Sequence, residues 1–190
     1  MSIEVLDVNE VIDGRHRRRI TNLQNIEKAM FAAFERGTAD VMNCEWIAGR
    51  AGVSKRTLHH LIDSFDDLKS DVCMKWLMTI DARVIDAHTA EGSEDSLYYL
   101  LTELAYPTHI GYVRYLHECS QHDAEQPDAY KEYERLFERY AMVRSDRYFT
   151  LQSDLQRTVL QMHATGLLKA LSAPDRANIA GIYRYLLQVL

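Results

Sequence analysis

Apolar residues recur at intervals of three and four along most of this chain, and residues that interrupt helices are scarce. Only eight glycines and three prolines occur among the 190 residues. The clearest apolar stripe precedes Gly37 and consists of Ile20, Leu23, Ile26, Met30, Ala33 and Phe34. A spacing of three and four residues places side chains on one face of an α-helix. We therefore predict an all-α fold with about nine helices.

Capping residues give the expected helix boundaries. The first helix is predicted from Ile20 to Arg36, with a left-handed cap at Gly37. Asn43, Ser54 and Ser64 are suited to accept the free N–H groups at the start of the next three helices. Those helices are expected to end at Gly52, near Leu61 and near residue 87, and the others to cover about 94–106, 108–120, 127–151, 154–171 and 175–190.

The charge is distributed unevenly around a formal net value of −6. Residues 1–14 carry four acidic residues and no basic one, whereas residues 15–80 carry 11 Lys and Arg against 8 Asp and Glu. Residues 81–190 carry 11 against 16. A basic segment on an acidic chain indicates that one end of the protein binds an anion.

Several classes of protein are disfavoured by composition. Three cysteines without CxxC spacing indicate reduced thiols in a cytoplasmic protein, not a disulfide framework or a zinc site. The N-terminus lacks the layout of a signal peptide, and no apolar run is long enough to span a membrane. Phosphate-binding and nucleophile motifs of common enzymes are also lacking, so we expect neither enzyme activity, nor a metal, nor a cofactor.

The stretch IAGRAGVSKRTLHHLIDSF, residues 47–65, predicts a helix, a tight turn at Gly52 and a second helix that begins after Ser54. Small residues at Ala48 and Ala51 allow the two helices to approach closely. The second helix would then expose a polar and cationic first turn, as in a helix-turn-helix that reads the major groove of DNA. The alternative is an ordinary helical hairpin with a solvated basic turn.

A basic run, RHRRR, covers residues 15–19 directly before the first predicted helix. We interpret it as an arm that follows the DNA backbone, and the alternative is a solvated, frayed terminus. The residues expected to contact DNA are Arg17, Arg18, Arg19, Asn43, Lys55, Arg56, Thr57, His59, His60 and Lys69.

Residues 20–76 resemble the DNA-binding domain of the TetR (tetracycline-repressor) type transcriptional regulators. The resemblance rests on FAAFERG at 31–37, Asn43 with Ile47-Ala48, AGVS at 51–54, Thr57-Leu58 and SFDDL at 64–68. The acidic N-terminus at 1–14 is expected to be disordered. The resemblance covers less than a third of the chain and implies a helix-turn-helix domain at 15–70 and a helical ligand-binding and dimerisation domain at 71–190. It also implies a ligand-responsive repressor that binds a palindromic double-stranded DNA operator as a homodimer.

The sequence departs from the family at positions that matter for DNA. Members usually have Tyr at the position of His59, Phe at Ile62 and Lys at Phe65, and the Tyr and Lys typically contact phosphates. Lys55, Arg56 or Lys69 could supply the lost charge. The alternatives are a protein of the same fold that has lost operator binding and acts as a small-molecule sensor or a protein–protein antagonist, and a helical protein that binds or converts a small molecule.

The domain at 71–190 contains two further candidate sites. Apolar and small residues on the last two helices are expected to form a four-helix dimer interface: Leu155, Val159, Met162, Gly166, Ile179, Ile182, Tyr183 and Leu186. Residues with a polar tip and an apolar body suit a pocket for an unknown small-molecule effector, although such residues are more often ordinary core. The pocket candidates are Tyr99, Tyr106, His109, Tyr112, Tyr115, Met142 and Tyr148.

Overall fold

The computed structural model describes residues 14–38, 42–91, 96–121, 126–145, 154–172 and 179–189, and most of these are helical. The helices are α1 (Gly14–Glu35), α2 (Cys44–Ala51), α3 (Lys55–Leu61), α4 (Phe65–Glu91), α5 (Ser96–Leu104), a short 3-10 helix (Pro107–His109), α6 (Ile110–Ser120), α7 (Asp128–Ser145), α8 (Asp154–Ser172) and α9 (Ile179–Val189). No strand occurs within the described ranges. The prediction of an all-α fold with about nine helices is confirmed. None of the described helices is both long and apolar enough to cross a membrane.

The predicted caps begin the helices of the N-terminal part. Asn43 Oδ1 accepts the Trp46 N–H at 2.9 Å, and Ser54 Oγ accepts the Thr57 N–H at 3.0 Å. Ser64 Oγ accepts the N–H groups of Asp66 and Asp67, both at 3.2 Å. Each bond satisfies a donor that has no partner within its own helix, so local chemistry fixes these helix starts.

The first helix is longer than predicted, because α1 begins at Gly14. The basic run at 15–19 is therefore the exposed first turn and a half of α1 and not an arm that precedes it. Arginine favours helices, and the run contains neither Gly nor Pro. A helix that projects beyond the core needs no apolar stripe, which explains why apolar periodicity placed its start too late.

The helices α1–α3, here called the head, close around a small apolar core. Ile26, Met30 and Phe34 of α1 pack with Ile47 of α2 and Leu58 of α3, and all five are fully buried. The same core continues into α4–α9, here called the body. The predicted domain boundary after residue 70 falls inside α4, so it does not coincide with the end of a helix.

Contacts on both sides fix α4. Lys75 Nζ lies 2.5 Å from Glu27 Oε1 of α1, which joins α4 to the head. Arg139 of α7 donates to the Asp81 carboxylate at 3.0 Å, and the Tyr140 hydroxyl donates to the same carboxylate. A displacement of α4 would therefore disturb its contacts with α1 in the head and with α7 in the body.

The body meets the head where α6 packs against the C-terminal end of α1. Gly111 stands so close to α1 that a Cβ atom added to it would lie 2.1 Å from the Phe34 carbonyl oxygen. No other residue type fits this approach without a backbone shift, which accounts for a glycine inside a helix. The position of the head relative to α6 is thus set by direct backbone contact.

Candidate nucleic-acid interface and effector region

The turn between α2 and α3 is built as a glycine-dependent helix end. Gly52 has φ 68° and ψ 28°, in the left-handed region. Its N–H donates to the Gly49 carbonyl at 3.3 Å, and the Val53 N–H donates to the Ala48 carbonyl at 3.0 Å. This paired pattern is a Schellman motif, which satisfies carbonyls that have no helical partner. Ala48 and Ala51 are buried beneath it, so the angle between α2 and α3 is fixed.

We expect Gly52→Ala to destabilise the head by about 1–2 kcal/mol, because a Cβ atom is strained at this positive φ. Gly49→Ala is the matched control, since Gly49 lies inside α2 with open space at its Cβ position. That substitution should stabilise α2 by up to about 1 kcal/mol through helix propensity. Urea denaturation of the two variants measures both values. Equal effects of the two substitutions would contradict the role given to Gly52.

Four side chains of α3 are available to a partner. Lys55, Arg56, His59 and His60 are exposed, and none has a hydrogen-bond or ion-pair partner among the described residues. Leu58 is buried on the opposite side and anchors α3 to the head. The structure therefore brings together most of the side chains that the sequence assigned to DNA contact on this helix.

Two other predicted DNA contacts also serve the fold. Thr57 is half-buried, and its hydroxyl lies 2.8 Å from Ser54 Oγ, within the cap of α3. Asn43 is exposed, but its side-chain oxygen caps α2. A contact of either side chain with DNA would therefore add to, or replace, the hydrogen bond that it makes at the start of its helix.

Further cations lie on α1, α2 and α4. Arg17, Arg18 and Arg19 are exposed on the first turns of α1, and α1 packs against both α2 and α3. Lys69 Nζ lies 2.9 Å from Asp66 Oδ1 and 5.0 Å from the centre of the Phe65 ring. An exposed pair of this kind contributes only about 0–1 kcal/mol, so a phosphate can compete with Asp66 for Lys69.

Arg50 of α2 is a further cation that was not among the predicted DNA contacts. Its guanidinium lies 4.8 Å from the centre of the Trp46 ring, one helical turn back on the exposed side of α2. The four-residue spacing of a tryptophan and an arginine was the available signal, because such residues are neighbours on a helix. Arg50 adds a cation to the same helix-turn-helix as Lys55 and Arg56.

The structure places Tyr112 and Tyr115, two of the predicted pocket residues, in the core between head and body. The Tyr112 ring is stacked between Phe34 at 4.6 Å and Trp76 at 4.5 Å. The Tyr115 ring meets the edge of Phe34 at 5.7 Å. Burial raises the pKa of both hydroxyls, which therefore stay neutral. These rings join α1, α4 and α6. Tyr112 and Tyr115 therefore pack the junction between the head and the body, whereas the sequence predicted that they line a pocket.

The other pocket candidates do not form one group. Some lie at the 3-10 helix, one lies on α5, and two cannot be assigned to a place because their side chains lie outside the described residues. Tyr106 and His109 flank the 3-10 helix, with ring centres 5.6 Å apart, and His109 is buried. Tyr99 is half-buried on α5, and its ring centre lies 6.4 Å from that of Tyr98. The side chain of Met142 and all of Tyr148 lie outside the described residues. Trp76 of α4, which was not among the predicted site residues, has its ring centre 5.4 Å from that of His109.

The predicted dimer face on α8 and α9 contains an open apolar groove of about 600 Å³. Met162, Gly166, Ile182 and Leu186 line it, together with His163 and Tyr185, which the sequence analysis did not include. Val159 and Met162 are exposed, Ile179 and Tyr183 are half-buried, and Leu186 is buried. The side chain of Leu155 lies outside the description. An apolar face of this kind on a water-facing surface is typical of a protein–protein contact.

Within the described ranges, no three His, Cys, Asp or Glu side chains lie close enough together to hold a metal ion. No protein-family model, curated protein or solved structure matches this chain. The geometry of the molecule is therefore the basis for any functional assignment.

Proposed function

We propose that this chain is a dimeric DNA-binding transcriptional regulator of the TetR type, most simply a ligand-responsive repressor. The proposal depends above all on one observation: a rigid turn at Gly52 is followed by a helix whose exposed cations have no partner among the described residues. Exposed Lys and Arg side chains at the start of such a helix are suited to contact base edges and phosphates in a major groove. The cationic first turns of α1 would contact the adjacent backbone.

Dimerisation through α8 and α9 would supply the second reading head. The α8–α9 groove is apolar and open, and the exposed side chains of Met162 and Tyr185 flank it. A twofold axis through this face would pair α8 and α9 with their copies in a four-helix bundle. Two heads related by such an axis match an operator whose half-sites are also related by a dyad.

We expect Met162→Lys to raise the dissociation constant of the dimer at least about tenfold, because an ammonium group in each copy would lose its water. Met78→Lys is the matched control, since Met78 on α4 is 63% exposed and Met162 is 69% exposed. The control should leave the dissociation constant unchanged. Sedimentation equilibrium of the three proteins measures this. A wild-type chain that remains monomeric at high concentration, or a Met162→Lys variant with the wild-type dissociation constant, would contradict the proposed interface.

The response to an effector is proposed to reach the head through α4 and α6. Tyr112 of α6 is stacked directly on Phe34 of the head, and Gly111 touches the backbone of α1. A ligand that displaces α6 or α4 must therefore move α1 or break these contacts. Because the two heads must match half-sites about 34–36 Å apart, a change of a few ångströms would lower operator affinity.

A hydroxyl-radical footprint on the DNA next to the coding sequence tests the proposal. We expect two protected half-sites related by a dyad, with centres about one helical turn apart. Protection of neither half-site at low salt would favour the alternative of a sensor or protein antagonist that has lost operator binding.

A further inference from the structure

The indole N–H of Trp76 is a buried donor for which the described part of the chain supplies no acceptor. Trp76 lies on α4 and is 5% exposed, and Nε1 has no hydrogen-bond partner among the described residues. Buried polar groups in folded proteins nearly always have a partner, and an exception calls for a bound water or ligand to explain it. The acceptor for this N–H is therefore expected to come from a group other than the described residues.

A short row of rings connects this donor with the surface. Tyr106, which is 57% exposed, lies 5.6 Å from His109, and His109 lies 5.4 Å from Trp76. Tyr106 and His109 stand at the two ends of the 3-10 helix that links α5 to α6. The indole, which lies near the middle of α4, is thus separated from an exposed ring by one buried ring that belongs to the connection between α5 and α6.

The hydrogen bonding of His109 defines a second polar group beside the indole. His109 Nδ1 lies 2.7 Å from the Glu103 backbone carbonyl oxygen. A carbonyl oxygen only accepts, so Nδ1 carries a proton and donates it to that oxygen. In the neutral ring Nε2 is then an acceptor, and it makes no hydrogen bond to another described residue. The indole and the imidazole, with ring centres 5.4 Å apart, therefore offer one donor and one acceptor.

From this pairing we propose that Trp76 and His109 form the effector site, and that the effector is a neutral planar molecule with an amide or lactam group. The carbonyl oxygen of that group accepts the Trp76 N–H, and its own N–H donates to His109 Nε2. A carboxylate is disfavoured, because a buried anion needs a partner, and both Lys75 and the only arginine of α4, Arg83, are already paired, with Glu27 and Glu103. This assignment rests on the proposed regulator function and names the chemistry of its ligand.

The position of the site explains how such a ligand would be sensed. The face of Trp76 is stacked on Tyr112, and Tyr112 is stacked on Phe34 of α1. A ligand that tilts the indole to improve its hydrogen bond displaces Tyr112, and through it the head. Two ring contacts therefore separate the ligand from the DNA-binding part of the molecule.

The test is a titration of the 15N-labelled wild-type chain of 190 residues with benzamide and with 2-pyridone, followed by NMR. The chain has two tryptophans, Trp46 and Trp76, so two indole N–H resonances are expected, and Trp46→Phe assigns them. Both compounds should move the Trp76 resonance downfield with millimolar affinity, which is usual for ligands of this size. The Trp46 resonance should not move. N,N-dimethylbenzamide, which lacks the donor, should bind at least about threefold more weakly, and benzoate should not bind.

Either of two results would overturn the assignment. One is a Trp76 resonance that neither compound moves at about 20 mM, far above the expected dissociation constant. The other is an indole N–H that contacts a long-lived water in the free protein and keeps that contact when the compounds are added. His109→Phe keeps a ring at this position and should lower benzamide affinity about tenfold, whereas an unchanged affinity would remove His109 from the site.

The outcome is independent of the proposed DNA binding, because the titration contains no DNA. Benzamide binding by a chain that binds no duplex would leave the ligand site in place and contradict the regulator function. Operator binding without any response of Trp76 would do the reverse.

Discussion

Replacing Lys55 and Arg56 together with alanine is expected to weaken specific DNA binding at least about a thousandfold. Each lost base contact costs about 1–3 kcal/mol, and a symmetric dimer loses both contacts in each half-site, or at least about 4 kcal/mol in total. Both side chains are exposed and have no partner among the described residues. The free energy of unfolding should therefore stay within about 0.5 kcal/mol of the wild-type value.

A second double variant separates lost contacts from lost charge. Lys28→Ala with Arg36→Ala removes one exposed lysine of α1 and one exposed arginine directly after α1, both in the same head. It should lower operator affinity by less than about tenfold. Fluorescence anisotropy with a labelled operator compares the two variants at one salt concentration. Equal losses would mean that the exposed face of α3 holds no special position relative to the DNA.

Gly111→Ala is expected to lower the free energy of unfolding by about 1–3 kcal/mol or more, the usual cost of overpacking. The new Cβ atom would lie 2.1 Å from the Phe34 carbonyl oxygen and 2.9 Å from its carbon, so backbone must shift. The gain from replacing glycine in a helix is at most about 1 kcal/mol, and the steric effect exceeds it. A loss of 2 kcal/mol would lower the melting temperature by roughly 4–8 °C in a chain of this size.

Gly49→Ala again serves as the matched control for this experiment, because it has nothing within 4 Å of its added Cβ. Since the strained contact joins α6 to α1, Gly111→Ala should also reduce operator affinity at temperatures where it is folded. A Gly111→Ala variant as stable as Gly49→Ala would contradict the close contact between the two helices.

The helix-turn-helix could be predicted because its determinants are local. Asn43, Ser54 and Gly52 act on backbone groups within five residues, so short stretches of sequence contain the complete information. The all-α fold followed for the same reason, from spacing within each helix. The basic run at 15–19 was placed wrongly because its helix is specified by propensity alone and has no apolar face there.

The head–body junction could not be predicted, since it depends on contacts between distant residues. Phe34, Trp76 and Tyr112 come together from three helices, and nothing near Tyr112 in the sequence indicates that both faces of its ring are covered. A tyrosine with a polar tip is equally suited to a pocket and to a core. Gly111 lies inside the helix predicted at 108–120, and the sequence near it gives no sign of the close contact with Phe34 of α1 that requires a glycine.

The most direct test of the central proposal is an anisotropy titration of the wild-type protein with its own upstream DNA and with a scrambled duplex of the same composition. We expect a dissociation constant of about 10⁻⁸ M or lower for the upstream DNA at physiological salt, at least about a thousandfold tighter than for the scrambled duplex. Affinity for both should fall linearly with salt on logarithmic axes. Equal affinity for the two duplexes, or no binding to either at low salt, would contradict the assignment of this chain as a sequence-specific regulator.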